Sequence, residues 1–371
     1  MPRLAHRLIL ITLIAGCGGE PEYPAVAVPA ELAAIVSGLP GVVVSVDEVR
    51  QVVEAYAGPF HVPASEPMAL DVPHDMVGHN VPLIDFTWPA DGWFRGFHIS
   101  LHEASGAELP RELLHHLVGY NLDRRPLIHP GVERLFGVGQ ETANIVLPEA
   151  IGVPMPSGTK LGFTVAWHNE SGQDLDGVYV RLLLVYTPDR PEGIRIAAMP
   201  LHTEVNYQIE ETTAFDLPVG HSEHTFEFTM PIDGGVIAAS GHMHDYGVGV
   251  RLEDATTGKV LFTLLGNRNA DGTLLGIEQK VFRKWFGLRD ARVRLVAGTR
   301  YRVVGEYDNP TGKLIPSGAM AHIVGLFAPD DLTQWPALDP SDPELIRDLA
   351  VLRGESISDT TAVAAPAHIH H

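Results

Sequence analysis

Between residue 66 and residue 329 the apolar positions come in short runs, many of them alternating with polar ones, and clusters of Gly, Pro, Asn, Asp and Ser separate the runs. Alternation of this kind marks half-buried strands, whose side chains point to opposite faces with period two. Strands are predicted at 93–101, 113–120, 161–168, 178–186, 224–230, 248–253, 260–265, 292–296, 301–307 and 321–327. The polar stretches 169–177 (NESGQDLDG) and 254–259 (DATTGK) each lie between two such runs and predict hairpins. The segment 187–193 (TPDRPEG) predicts the break between two strand-rich units, 66–190 and 191–329. Strand density with so little helix predicts an all-β chain built from two β-sandwiches.

Two stretches carry a helical period instead. Ser45 and Glu48 have the spacing of a capping box, Val46, Val49, Val52, Val53 and Tyr56 recur on one helical face, and Gly58-Pro59 supplies a stop. A short N-terminal helix is therefore expected inside a segment 18–65 that begins as a Pro/Gly/Ala-rich tether. Residues 340–353 predict one surface helix within a tail, 330–371.

At 371 residues the length suits two domains of ordinary size. The formal net charge of -20 argues against a nucleic-acid partner, whose phosphates it would repel. The single cysteine changes the picture more. Cys17 follows Arg3, His6, Arg7 and the apolar stretch 8–15, which is too short to span a bilayer stably and reads as a signal peptide, 1–17. Its end, Ile14-Ala15-Gly16-Cys17, resembles a bacterial lipobox, in which the cysteine is lipidated; the other reading is an ordinary secretory signal. Gly18 after the cysteine favours, by resemblance, an anchor in the outer membrane of the cell envelope. With Cys17 so used, no disulfide is available to the mature chain.

Candidate chemistry rests on histidine and one methionine. His115 and His116 are adjacent in LLHHLVGYN, and His168 lies in FTVAWHNES. Far downstream come His242 and His244 in ASGHMHDYG, then Met320 in PSGAMAHIV. A His-x-His pair on a strand sends both rings to one face. Imidazole suits copper in both oxidation states, and a thioether favours Cu(I) and is unusual for zinc. Two copper sites are therefore expected, as against histidines that merely fill a core or a surface. The terminal His368, His370 and His371 read as a weak metal site or a loose end. The sequence has no phosphate-binding glycine loop, no Ser-His-Asp signature and no internal repeat.

These residues resemble the type II copper, ascorbate-dependent monooxygenases, represented by peptidylglycine hydroxylating monooxygenase and dopamine beta-monooxygenase. The similarity covers roughly 66–329 and rests on WFRGFHI before the His pair, LLHHLVGYN, LPEAIGVPMPSGTKLGFTVAWHN, FDLPVG, GHMHDYGVGVRLEDATTGK, RLVAGTRYRV and SGAMAHIVGLF, in the family's order. It implies two tandem jelly-roll-like β-sandwich domains, one copper in each, facing each other across a cleft. It also implies that His115, His116 and His168 store an electron, that His242, His244 and Met320 bind the copper that meets O2, and that a small substrate is hydroxylated at a C–H bond with ascorbate or a similar donor as reductant.

Three departures matter. The family's third histidine aligns with Ala166, and His168 follows two residues later on the same strand face, so the strand must slip for His168 to serve. The peptide-amidating member's carboxylate-gripping arginine aligns with Ser240, and its polar substrate contacts align with His322 and Val324, which argues against peptide amidation. The family's disulfides are missing. A lipid-anchored copper carrier and a structural surface lipoprotein on the same scaffold therefore stand as the alternative readings.

Overall fold

A computed structural model of the protein describes residues 27–35, 39–64, 81–139, 144–190, 196–207, 213–282 and 292–355. The signal peptide with Cys17, the tether before residue 27, and His368, His370 and His371 lie outside the described residues. Among the described residues no helix is long and apolar enough to cross a membrane.

The fold is all-β. After α1 (Ala30–Ala33) come β1 (Gly41–Asp47), β2 (Val52–Val62), β3 (Val81–Thr87), β4 (Gly92–Glu103), β5 (Glu108–Leu109) and β6 (Leu114–Asn121). They are followed by β7 (Glu133–Gly139), β8 (Ile145–Val146), β9 (Ile151–Met155), β10 (Lys160–Trp167) and β11 (Leu175–Pro188). Next are β12 (Ile196–Ala197), β13 (Met199–Glu204), β14 (Phe215–Leu217), β15 (Gly220–Thr229), β16 (Gly234–Met243) and β17 (Gly247–Asp254). The last strands are β18 (Val260–Arg268), β19 (Leu274–Ile277), β20 (Lys280–Val281), β21 (Val293–Leu295), β22 (Arg300–Asn309), β23 (Ile315–Ala319) and β24 (Ala321–Pro329), before α2 (Pro343–Leu352).

Two sandwiches result, each with its own core. In the first, the sheet β1-β2-β11-β4-β9-β12 faces β3-β10-β6-β7, and the space between them holds Phe97, Leu117, Phe163, Leu182 and Leu184. In the second, β13-β24-β16-β20 faces β15-β22-β17-β18-β19, around Met243, Val250, Leu264, Val303 and Phe327. The two units touch through Leu147, Ile151, Ala198, Ile237 and Ala328, and Trp335 packs on both cores.

The short N-terminal helix exists, but it is α1; the segment expected to form it is a hairpin. Residues 45–56 belong to β1 and β2, paired in register from Gly41↔Gly58 to Asp47↔Val52. Asp47 Oδ1 accepts the backbone N–H groups of Val49 and Arg50 at 3.1 and 2.9 Å, and Gln51 takes a positive φ of 56°. This turn displaces the capping box. The apparent helical period arises because β2 is buried on both faces: Val53, Ala55 and Ala57 enter the main core, while Tyr56 meets Leu32 of α1 on the other side. A doubly buried strand loses its alternation, and its run of β-branched valines suits an extended chain. The first sandwich thus begins at Gly41, not at residue 66. It also ends later than residue 190, since β12 pairs with β9 (Ile196↔Ile151) before the chain crosses to β13.

The 330–371 segment is not a free tail over its described part. α2 is capped by the Asp342 side chain, which accepts from Glu344 N at 2.9 Å, with Pro343 in its first turn. It then returns to the first sandwich, where Leu345 and Leu352 pack with Tyr120 and Val132. Asp348, 2% exposed, accepts from Val132 N at 2.8 Å and holds the Arg134 guanidinium through two bonds of 2.7 and 2.9 Å.

One buried carboxyl in this region has a consequence for pH. Glu133 is 1% exposed and accepts from Arg124 Nε at 3.0 Å, yet burial outweighs the guanidinium and pushes its carboxyl up from 4.5 to about 7. A folded state that keeps this proton after the unfolded chain has lost it is fully stable below about pH 4.5. It loses stability as the pH rises towards 7, by on the order of 3 kcal/mol at about 1.4 kcal/mol per unit. Glu133→Gln is expected to flatten that decline in urea unfolding midpoints measured between pH 4.5 and 7.5. An unchanged decline in the variant would assign it to other groups.

Candidate metal centres

The first cluster is made by a defect in pairing. Adjacent residues of a regular strand point to opposite faces, so His115 and His116 are not expected to meet. Here Ala166 pairs with His116 and Trp167 with Leu114, which leaves His115 as the extra residue of a bulge in β6. The bulge re-aims the rings: the two Nδ1 atoms lie 2.8 Å apart, with ring centroids at 4.9 Å. His168 follows β10, and its backbone N–H continues the ladder to Leu113 O at 2.8 Å. Its ring lies 6.3 Å from that of His115. Imidazoles sharing one ion through bonds of about 2 Å have centroids roughly 5–6 Å apart. The His115–His116 spacing falls just short of this range and the His115–His168 spacing just beyond it, so the rings must turn for one ion to take all three. Glu170 Oε1 engages His168 Nε2 at 2.9 Å, which orients the ring and leaves Nδ1 for an ion. His115 is exposed and His116 and His168 are half-buried, so solvent reaches the cluster.

The second cluster occupies one face of the sheet β13-β24-β16. Register puts His242 opposite His322, and His322 opposite Glu204. The same alignment brings His244 opposite Met320, where His244 N donates to Met320 O at 3.3 Å. His202 shares this face, two residues before Glu204. The intervening residues Met243 and Ala321 point the other way, into the second core. The backbone of Met320 thus lies beside His244, and the His242 and His244 rings are 5.5 Å apart at 89°. Met320 is the corner between β23 and β24 and is 4% exposed. Tyr307 fixes its backbone from both sides, donating its hydroxyl to Met320 O and accepting from Met320 N at 3.1 Å. Gly241 permits the close approach of β16 and β24: a Cβ there would stand 2.5 Å from the His322 carbonyl oxygen.

Three residues of this face were not singled out in the sequence as ligands. His202 Nε2 lies 3.0 Å from Glu204 Oε1, and His322 Nδ1 lies 3.9 Å from the same oxygen. Burial pushes the Glu204 carboxyl up, but the neighbouring His202, which also bonds it, outweighs this and holds it below its ordinary value. Burial and then the neighbouring His242 hold the His322 imidazole well below its ordinary value, hence neutral. His129, from the first sandwich, is 2% exposed and accepts the Glu204 backbone N–H on Nε2 at 3.1 Å, so its proton sits on Nδ1. The only hints in the sequence were the H-x-E alternation at 202–204 and a histidine two positions beyond Met320.

No family model matches the chain, and no curated protein matches it. Among solved structures the chain is similar to the STIV MCP, with a TM-score of 0.37 at 9% identity over 81% of this chain and 100% of that one. It is similar to the peptide:N-glycanase F, PNGase F, with a TM-score of 0.34 at 9% identity over 72% and 95% of the two chains. It is also similar to the major capsid protein P2 from bacteriophage PM2, with a TM-score of 0.27 at 10% identity over 74% and 99%. At these TM-scores none of the three bears on what the protein does.

Proposed function

We propose that the protein is a copper-dependent monooxygenase that hydroxylates a C–H bond of a small substrate, using O2 and a one-electron reductant such as ascorbate. The observation that carries this reading is the bulge in β6. It turns the His115 and His116 rings towards each other and leaves His168 near His115, which supports an upstream site despite Ala166, the residue that set it in doubt. His115, His116 and His168 would hold one copper by nitrogen alone. His242 and His244 would hold the other, with Met320 as its thioether ligand. Bound in these places, copper supplies one-electron redox chemistry, and the thioether biases the downstream ion towards Cu(I).

The protein's own residues do the positioning. Glu170 orients His168, Tyr307 holds the Met320 corner, and Gly241 brings the two strands of the downstream site together. Ser240 shares the ligand face beside His242 and brings no positive charge, so a substrate carboxylate has no partner at that position. Val324, 37% exposed on the same row, presents an apolar surface instead. The Cys17 anchor in the outer membrane remains part of the proposal on the strength of the lipobox resemblance.

X-ray absorption on the Cu(I)-loaded protein is expected to show sulfur scattering that vanishes in Met320→Ile while histidine scattering persists. No sulfur contribution in the wild type would overturn the downstream assignment. Ascorbate-driven oxygen uptake separates the enzyme from its rival, a lipid-anchored copper carrier, which would load copper and turn over no oxygen.

A further inference from the structure

We infer that His202, Glu204 and His322 form a separate site for a divalent first-row cation of the zinc or cobalt kind, beside the proposed downstream copper site and distinct from it. Their ligand atoms all lie within 4.8 Å of one another. Donors bound about 2 Å from one ion stand roughly 3–4 Å apart. The 3.0 Å and 3.9 Å separations about Glu204 Oε1 therefore need no movement of the backbone.

Two further observations point to a ligand. Glu204 Oε2 and His322 Nδ1 are buried and have no hydrogen-bond partner among the described residues. A buried carboxylate oxygen and a buried ring nitrogen left this way each carry an uncompensated desolvation cost. A cation between them satisfies both at once. The surroundings are also fixed beforehand. His129 pins the Glu204 backbone N–H and stacks on Tyr207 at 4.0 Å, so the end of β13 is held by a residue of the other sandwich.

Nearness to Glu204 assigns His322 to this site: its ring stands 5.3 Å from that of His202 and 5.2 Å from that of His242, but its ligand atom groups with those of His202 and Glu204. The donor set also separates the ions. Two imidazoles and a carboxylate, with no sulfur, suit a borderline divalent cation, whereas the thioether of Met320 suits Cu(I). Three protein donors leave a position for water or an exogenous ligand.

The test uses the full chain loaded with Cu(I) under anaerobic conditions and then titrated with Co(II), followed by visible absorption and metal counting. The wild type is expected to take up one further ion, and Met320→Ile to take up Co(II) equally well. Glu204→Gln and His202→Asn are each expected to weaken Co(II) by about tenfold or more, since even outer-shell changes at metal sites cost that much. Circular dichroism of the metal-free variants identifies a variant that has lost its fold, and the comparison then rests on the other. Wild-type Co(II) affinity in the folded variants overturns the inference. So does loss of Co(II) in Met320→Ile, which would mean one shared site. The outcome is independent of the monooxygenase reading: a chain with no Cu–S scattering but Glu204-dependent Co(II) binding would lose that reading and keep this one.

Discussion

Replacing Asp348 with alanine is expected to lower the free energy of unfolding by about 3–5 kcal/mol, the range for removing one member of a buried ion pair. Asp348 completes three interactions at once: the backbone N–H of Val132 and both terminal nitrogens of Arg134. Its removal leaves the Arg134 guanidinium, whose side chain is 25% exposed, without its carboxylate, and leaves a buried N–H unsatisfied. The packing of Leu345 and Leu352 depends on the same docking, and each buried leucine contributes about 1.5–3 kcal/mol. Urea unfolding of the variant measures the loss. A decrease below about 1 kcal/mol, the ceiling for a typical exposed pair, would mean that α2 docks without its buried anchor.

The second large effect concerns the upstream cluster. In His168→Ala the copper content of the loaded protein is expected to fall from two ions to one, with loss of ascorbate-driven oxygen uptake. In the proposed two-electron hydroxylation His115, His116 and His168 would hold the source of the second electron, so a chain that loads only the downstream site would lack it. His115 and His116 alone offer two nitrogens, too few to hold copper firmly. Two coppers retained in the variant would remove His168 from the ligand set. One copper in both proteins would mean that no upstream ion is held, and the carrier reading would replace the enzyme.

Much of the second sandwich was legible because its strands bury one face and alternate, as in β15, where exposed and half-buried residues succeed each other from Gly220 to Glu227. The β1–β2 hairpin was misread for the opposite reason, since burial on both sides of β2 left no alternation to see. The proximity of His242 and His244 followed from period two, and that of Met320 from resemblance. The row His242–His322–Glu204 could not be read in the same way, because it exists only once β13, β24 and β16 lie side by side. The bulge at His115 was likewise hidden, as one extra residue in a strand leaves no mark on local composition. The docking of α2 joins Arg134 to Asp348 across 214 residues, a separation over which no local pattern carries.

That docking bears on how the chain is made. The surface of the first sandwich around Tyr120 and Val132 is covered by Leu345 and Leu352, which leave the ribosome more than 200 residues later. Until then an apolar patch on an otherwise finished sandwich stays bare, and the nascent chain must be kept from self-association. Truncations that stop at the end of β24 would keep every proposed metal ligand and still make that exposure permanent. They are therefore expected to collect in aggregates, for a reason unrelated to metal binding.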